Sequence, residues 1–87
     1  MKVGLLGAGR IGALHAGLLA GDSRVEEILI GDADSRRAES VAAEVGGRPG
    51  TIEDILRSGP DAVVIAASTG AHAPLILSSV EAGIPAF

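Results

Sequence analysis

The sequence predicts an α/β domain built on a parallel sheet, and three observations lead to that fold class. Short apolar runs of strand length alternate with segments whose apolar residues recur at helical spacing. The order along the chain is β-α-β-α-β-α-β-α-β, which implies parallel strands joined by right-handed crossovers. Nearly all of the 47% apolar residues are aliphatic, and Phe87 is the only aromatic residue, so the core must be aliphatic.

The first part of the chain predicts a β-α-β unit. Residues 3–6 form a short apolar run that ends at Gly7, as expected for a strand that enters a turn. A helix follows, because apolar residues then recur at helical spacing, and Gly21-Asp22 ends it. Residues 28–30 are rich in β-branched side chains and predict the second strand. The residues that carry the helical spacing are Ile11, Leu14, Leu18 and Leu19.

A second helix and a very short strand come next. Asp34 or Ser35 can cap this helix, and Gly46-Gly47 ends it. Residues 48–50, Arg-Pro-Gly, leave room only for a very short strand, whose proline suits the edge of a sheet. The apolar positions of the helix follow the spacing i, i+3, i+4, i+7 and predict one buried face, made of Ala38, Val41, Ala42 and Val45.

The rest of the chain predicts two more helices and two more strands. Thr51 can cap a short helix that Gly59-Pro60 ends. Residues 62–67 are the most continuous apolar run and predict a strand buried on both faces. Pro74 lies near the start of a last helix, and residues 84–87 predict the opening of a fifth strand. The apolar residues of the short helix are Ile52, Ile55 and Leu56.

A glycine-rich turn joins the first strand to the first helix. Residues 7–12, Gly-Ala-Gly-Arg-Ile-Gly, match G-x-G-x-x-G in the strand–turn–helix context that dinucleotide binding requires. Gly7 permits the tight turn, Gly9 lets a pyrophosphate approach the backbone, and Gly12 lets the helix pack closely. The N–H groups of Arg10 and Ile11 would face the phosphates. The motif predicts a Rossmann-type doubly wound sheet; the alternative is a glycine-rich turn that binds no ligand.

Asp32 lies twenty positions after Gly12, at the end of the second predicted strand. A dinucleotide fold places there the carboxylate that accepts hydrogen bonds from the adenosine ribose. A turn or helix-capping aspartate is the alternative. The carboxylate would repel a 2′-phosphate, whereas Arg36 and Arg37 could hold one, although a solvated helix start also explains them. The sequence therefore favours NAD as cofactor, with NADP as the alternative.

Polar residues follow the predicted fourth strand. Ligands of doubly wound sheets bind beyond the carboxyl ends of the strands, where the strand order reverses, and the first and fourth strands flank that crevice. We therefore expect Ala67, Ser68 and Thr69 to line the ribose or nicotinamide side of the cofactor; the alternative is an N-cap for the last helix. His72 could contact the cofactor or cap the helix. His15, inside the first helix, is interpreted as a packed histidine.

Composition argues against several other classes of protein. A net charge of −4 argues against nucleic acid and anionic membranes as partners. With no Cys and two His, disulfides and thiolate chemistry are excluded and a metal site is not expected. No apolar run approaches the ~18 residues that span a bilayer. Lys2 is the only lysine, and no Ser-His-acid arrangement is suggested, so the sequence predicts a cofactor site and no catalytic group.

Together these residues make the whole chain resemble the glucose–fructose oxidoreductase/inositol dehydrogenase (Gfo/Idh/MocA) family. The similarity lies in residues 3–12 with the His15-Ala16 that follows, and in residues 61–66 with the Ser68-Thr69 and His72 that follow. Residues 82–87 look like the segment before the family's Glu-Lys-Pro motif. Inositol 2-dehydrogenase-like members look most similar. One departure is Gly70, where the family often has Asn, which removes a polar contact.

The resemblance implies an N-terminal NAD- or NADP-binding domain, with substrate contacts and catalytic acid–base residues in a C-terminal domain. It implies hydride transfer between the nicotinamide and a carbon that bears a hydroxyl, commonly on a sugar or cyclitol. Asp32 then matches the ribose acid. By position the resemblance also implies two loops that hold the cofactor. The phosphate loop would consist of Gly7, Gly9, Arg10, Ile11 and Gly12. The loop at the nicotinamide ribose would consist of Ser68, Thr69 and His72.

Residues 1–87 are therefore expected to form a Rossmann domain truncated at about the fifth strand, without the Glu-Lys-Pro motif or the catalytic domain. We expect a piece of a longer cytoplasmic oxidoreductase that binds its cofactor but is inactive alone. Its uncovered sheet edge and apolar face predict association with another copy of the chain. The alternative is a stand-alone dinucleotide-binding module with a regulatory or oligomerisation role.

Overall fold

The computed structural model describes residues 1–66 and 83–87. Four parallel strands form one sheet in the order β3-β2-β1-β4, so the predicted doubly wound parallel sheet with adjacent β1 and β4 is confirmed. Leu6, the last residue of β1, pairs with Gly31 of β2 and Ile65 of β4, and the three strands therefore end at one level. The elements are β1 (Lys2–Leu6), α1 (Arg10–Ala20), β2 (Glu27–Gly31), α2 (Ser35–Val45), β3 (Arg48–Gly50), α3 (Ile52–Arg57) and β4 (Ala62–Ile65).

Residues 85–87 lie beside β4 as the predicted opening of a fifth strand. The N–H of Val63 donates to the Pro85 carbonyl at 2.8 Å, and the N–H of Phe87 donates to the Val63 carbonyl at 2.9 Å. The N–H of Ile65 donates to the Phe87 carbonyl at 2.8 Å. The predicted last helix falls within residues 67–82 and lies outside the described residues.

Local capping explains where the helices begin and end. Asp34 caps α2, because its Oδ1 accepts the Arg36 N–H at 3.0 Å. Thr51 caps α3, because its Oγ1 accepts the Asp54 N–H at 3.0 Å. Gly46 ends α2 in the left-handed region, with φ +69°, where glycine is favoured. The predicted caps and stops of these helices are confirmed.

Aliphatic side chains pack on both sides of the sheet, most closely over β1 and β2. On one side α1 and α2 pack on Leu5 and Ile30, and the predicted face of α2 is buried as expected, with Val45 half-buried. On the other side Ile55 of α3 packs with Leu6 and Val63. The glycine turn lies between these two layers, at the carboxyl end of β1.

The helical spacing in α1 does not mark its buried face, and the prediction for the fourth strand needs correction. The helical spacing of Ile11, Leu14 and Leu18 is real, but these side chains are 62–64% exposed. The buried residues of α1 are Gly12 and Ala16, because only small residues fit where the helix approaches the sheet. The fourth strand ends at Ile65 and is not buried on both faces: Val63 and Ile65 are buried, whereas Ala62 and Val64 on the α1 side are half-buried.

The β3 edge is poorly suited to pairing with another chain. Arg48 and Pro49 are exposed there, and proline offers no N–H to a further strand. Self-association of the chain therefore remains a prediction for other parts of its surface. In the described part of the chain, no helix has the length and apolarity needed to cross a bilayer.

Candidate functional site

Gly7 makes the turn at the end of β1. Its φ of +112° lies in the region that side chains rarely adopt, so this position requires glycine. Its N–H donates to the Gly31 carbonyl at 2.7 Å, which extends the contact between β1 and β2 by one residue. The turn is therefore held to the sheet and has little freedom to shift.

Gly12 lies in the first turn of α1, directly over the glycine turn. A Cβ at position 12 would lie 2.0 Å from the Gly7 carbonyl oxygen and 2.8 Å from its carbonyl carbon. It would lie 3.8 Å from the Ala66 Cβ. The absence of a side chain at position 12 thus lets α1 begin close to the ends of both β1 and β4.

Gly9 has no comparable reason to be glycine. Its backbone is extended, with φ −74° and ψ −163°, a conformation open to any residue. A Cβ at position 9 would meet no described atom within 4 Å. Packing and backbone geometry in the described part of the chain therefore leave open space above Gly9, where a ligand could approach the backbone.

The start of α1 supplies hydrogen-bond donors beside that space. The first hydrogen bond of the helix runs from the Ala13 N–H to the Gly9 carbonyl at 2.8 Å. The N–H groups of Arg10, Ile11 and Gly12 therefore precede the helical ladder and carry the partial positive charge of the helix N-terminus. Arg10 is itself exposed at the first helical position. This end of α1 suits an anion such as a pyrophosphate.

Asp32 directly follows β2, at the strand end where the sequence predicts it, and its carboxylate lies against the glycine turn. Its Oδ2 accepts the Ala8 N–H at 2.7 Å, and its Oδ1 accepts the Asp34 N–H at 2.8 Å. The half-buried carboxylate therefore links the turn after β1 to the turn after β2. Each carboxylate oxygen can accept a further hydrogen bond, so the group can still receive ribose hydroxyls. Sequence reasoning missed the contact with Ala8, because a backbone N–H has no signature in the residue type.

The two arginines of α2 lie near a second carboxylate. Arg37 Nε is 3.8 Å from Asp34 Oδ2, and the Arg37 side chain is 63% exposed. Arg36 is exposed, and its backbone N–H donates to Asp34. The structure thus pairs Arg37 with Asp34 at the start of α2.

The structure describes only some of the remaining predicted site residues. Ala67, Ser68, Thr69 and His72 lie outside the described residues. Ala66, which precedes them, donates its N–H to the Leu6 carbonyl at 2.8 Å, so the chain leaves β4 beside the glycine turn. Ile11 is exposed and His15 is half-buried in α1.

A cavity of about 300 Å³ opens next to Asp32, at the carboxyl ends of β2 and β3. Ser35, Thr51 and Asp54 are among its lining residues. Within residues 1–66 and 83–87, no three His, Cys, Asp or Glu side chains cluster as metal ligands would. The site combines backbone donors at a helix start, open space at Gly9 and a carboxylate beside them.

Known proteins resemble the chain over its full length. The family model GFO_IDH_MocA, described as an oxidoreductase family with an NAD-binding Rossmann fold, matches residues 1–87. Inositol 2-dehydrogenase from Rhizobium meliloti (strain 1021) is 39% identical over 84 residues, which cover 95% of this chain and 26% of that protein. The crystal structure of scyllo-inositol dehydrogenase from Lactobacillus casei, with bound NAD(H) and scyllo-inositol, matches with a TM-score of 0.87. It is 25% identical, and the match covers 100% of this chain and 27% of that one.

The chain is also similar in sequence to an enzyme that is not named as an inositol dehydrogenase. Glutamyl-tRNA reductase from Methanosarcina acetivorans is 40% identical over 67 residues. Those residues cover 77% of this chain and 14% of that protein. The chain thus spans about a quarter of the length of the inositol dehydrogenases that it matches, and less of the reductase.

Proposed function

The chain belongs to the oxidoreductase family with an NAD-binding Rossmann fold, and from this premise we propose that residues 1–87 are the cofactor-binding domain of an NAD-dependent dehydrogenase. The observation that carries the proposal is the contrast between two glycines of the turn. Packing requires Gly12, whereas nothing in the described protein requires Gly9. A turn that served only to seat α1 would need Gly12. At position 9, the N-cap of α1, it would accept any good capping residue, such as serine or asparagine.

The pyrophosphate would lie over Gly9, with Gly7 shaping the turn below it. The N–H groups of Arg10, Ile11 and Gly12 would donate to the phosphate oxygens, and the Arg10 guanidinium would add positive charge at the same end of α1. These donors are oriented before the ligand arrives, because the turn is hydrogen-bonded to β2 and to Asp32. Little reorganisation would accompany binding.

The adenosine ribose would bind to Asp32. Because backbone N–H groups orient both carboxylate oxygens, the side chain is fixed where ribose hydroxyls can donate to it. The same fixed negative charge would repel a 2′-phosphate, which favours NAD over NADP. Arg37, paired with Asp34, would lie at the rim of this part of the site.

The segment after β4 would line the nicotinamide end. This part of the proposal rests on sequence position: Ala67, Ser68, Thr69 and His72 follow Ala66, which is hydrogen-bonded beside the glycine turn. Bound NAD supplies a ring carbon that accepts or returns a hydride. This chain's own residues would bind and orient the dinucleotide, and the chain alone would not catalyse the reaction.

The dehydrogenase would act on an alcohol group of a sugar or polyol, and inositol-like compounds are the leading candidates for its substrate. Inositol dehydrogenases recur among the sequence relatives and the solved structures, and they match 95–100% of this chain. The glutamyl-tRNA reductases match 77–92% of it with only 14–18% of their own length. Substrate contacts and the catalytic acid–base residues would come from polypeptide of the kind that the inositol dehydrogenases carry outside the matched part.

Calorimetric titration with NADH and, separately, NADPH tests this proposal. We expect NADH to bind more tightly than NADPH, and Asp32→Ser to weaken NADH binding about tenfold, which corresponds to ~1.4 kcal/mol. Asp34→Asn is the matched control, since it keeps the helix cap and leaves Asp32 in place. A chain that is folded by circular dichroism and binds neither dinucleotide at millimolar concentration would refute the proposal.

A further inference from the structure

The cavity beside Asp32 lies on the side of this carboxylate that faces away from the glycine turn. Asp32 Oδ2 accepts the Ala8 N–H of the turn at 2.7 Å, whereas Oδ1 accepts the Asp34 N–H at 2.8 Å, next to the start of α2. The cavity is bounded by residues of α2, β3 and α3, and none of residues 7–12 lines it. Asp32 therefore separates the glycine turn from a second space at the carboxyl ends of β2 and β3.

This space is large enough for a phosphate group. Ala33, Ala38 and Gly50 are small, and they leave the cavity open where β3 ends. Its volume of about 300 Å³ is roughly ten times the ~30 Å³ share of one water molecule. Ser35 and Thr51 contribute hydroxyl groups to the lining. Neither a lack of room nor a lack of polar groups would therefore keep an anion out of the cavity.

The ionisable groups around the cavity are all acidic. Asp32, Glu39 and Asp54 line it, and no Lys, Arg or His is among its lining residues. The Glu39 and Asp54 side chains are exposed, and no basic side chain in the described part of the chain forms an ion pair with either. The cavity is thus a region of negative potential that continues outward from Asp32.

The two arginines of α2 do not offset this charge. At about 100° per residue, Glu39 projects within about 40° of Ser35, on the flank of α2 that borders the cavity, whereas Arg37 projects about 160° from both. Arg37 is also paired with Asp34, at 3.8 Å. Arg36 is exposed and is not among the lining residues. The helix therefore presents a carboxylate to the cavity and its basic groups elsewhere.

The chemistry of the dinucleotide directs a 2′-phosphate toward this cavity. In the proposed binding mode the pyrophosphate lies over Gly9 and the ribose hydroxyls reach Asp32. The pyrophosphate is attached to the 5′ carbon of the ribose, and the 2′ and 3′ hydroxyls lie at the opposite edge of the sugar. A phosphate on the 2′ oxygen would therefore extend past Asp32, away from the glycine turn.

We propose that Glu39 and Asp54 are specificity-determining residues, which repel the 2′-phosphate of NADP from the cavity and add to the selectivity for NAD that Asp32 provides. This inference rests on the proposed function and deepens it. A cavity of this volume is about 8 Å across, so a phosphate inside it would lie within about one Debye length of both carboxylates at physiological ionic strength. A phosphate monoester carries a charge of about −1.5 to −2 at neutral pH, and each carboxylate would weaken its binding by about threefold.

Calorimetric titrations with NADH and NADPH at low ionic strength test this proposal. In the Asp32→Ser background, adding Glu39→Gln should raise NADPH affinity about threefold, and adding Glu39→Gln with Asp54→Asn about tenfold, with NADH affinity unchanged. Glu44→Gln is the matched control, because it removes the same charge from an exposed position of α2 that does not line the cavity. It should change NADPH affinity by at most about 1.5-fold.

The dependence on salt gives a second measurement on the unmodified chain. Because salt screens repulsion, the ratio of the NADPH Kd to the NADH Kd should fall as ionic strength rises, and this dependence should weaken in the Glu39→Gln/Asp54→Asn chain. Circular dichroism checks that each variant is folded, and the Thr51 cap is retained because it binds the backbone N–H of Asp54.

The outcomes separate this inference from the proposed function. If NADH binds but the ratio of NADPH to NADH affinity is the same with and without Glu39→Gln and Asp54→Asn, the inference is overturned and the proposed function stands. An equal gain in NADPH affinity from Glu44→Gln would also overturn it, because the net charge of the domain would then explain the effect. A folded chain that binds neither dinucleotide would refute the proposed function, and this inference with it.

Discussion

Replacing Gly12 with alanine tests whether α1 begins as close to the β1 turn as the structure places it. The new Cβ would lie 2.0 Å from the Gly7 carbonyl oxygen, where ordinary contacts begin near 3.4 Å. Gly7 has little freedom to retreat, because it is buried and its N–H is bonded to the Gly31 carbonyl. The start of α1 would have to move outward by more than an ångström, which would loosen the packing of Ala16 on the sheet.

The expected loss of stability follows from two opposing terms. Overpacking typically costs about 1–3 kcal/mol, and a clash with backbone atoms belongs at the upper end of that range. Alanine gains at most ~1 kcal/mol over glycine in a helix. We therefore expect Gly12→Ala to lower the free energy of unfolding by about 2 kcal/mol, which corresponds to a fall in Tm of roughly 8–16 °C for a domain of this size.

Gly17→Ala is the matched control in the same helix. A Cβ at position 17 meets no described atom within 4 Å, so only the helix propensity changes. This variant should gain about 0.5–1 kcal/mol. Urea unfolding followed by circular dichroism measures both variants. If Gly12→Ala is as stable as Gly17→Ala, the close approach of α1 to the turn is refuted.

Three further predictions concern caps and charge. Asp34→Ala should lower the free energy of unfolding by about 1 kcal/mol. Asp34→Asn should change it by only a few tenths of a kcal/mol, because asparagine also caps helices. The midpoints of urea unfolding distinguish the two variants. Thr51→Ala should lower it by about 1 kcal/mol in the same assay, through loss of the bond to the Asp54 N–H, and an unchanged midpoint would contradict the cap. Hydrogen bonds from Arg24 lower the pKa of Asp22 from 3.8 to about 2, so their contribution to stability should be present above pH 3.8 and lost as the pH falls toward 2. The difference in stability between wild type and Arg24→Ala should therefore shrink across that pH range, and a constant difference would contradict the pairing.

Features that depend on neighbouring residues along the chain could be predicted from the sequence. The caps at Asp34 and Thr51 and the stop at Gly46 are of this kind, because each is set within one helical turn. The pairing of β1 with β4 and the position of Asp32 at the end of β2 were also predictable, since the handedness of parallel crossovers leaves few topologies. The opening of the fifth strand at residues 85–87 followed from the same alternation of elements.

Features that depend on which surface is covered could not be predicted in the same way. The spacing of Ile11, Leu14 and Leu18 predicts a helix but not the flank that packs, and in α1 the packed residues are small ones such as Ala16. The half-buried state of Val64 depends on what lies above β4. The bond from the Ala8 N–H to Asp32 involves a backbone group that every non-proline residue carries.

The central claim is that the glycine turn binds a dinucleotide, and Gly9→Ala tests it most directly. Because a Cβ at position 9 meets no described atom and the backbone conformation suits any residue, stability should fall by no more than about 1 kcal/mol, the usual loss when alanine takes the N-cap position. NADH affinity, measured by calorimetry beside Gly17→Ala, should fall about tenfold or more, because the methyl group would occupy the space of the pyrophosphate. A Gly9→Ala chain that binds NADH as tightly as the wild type would contradict the account.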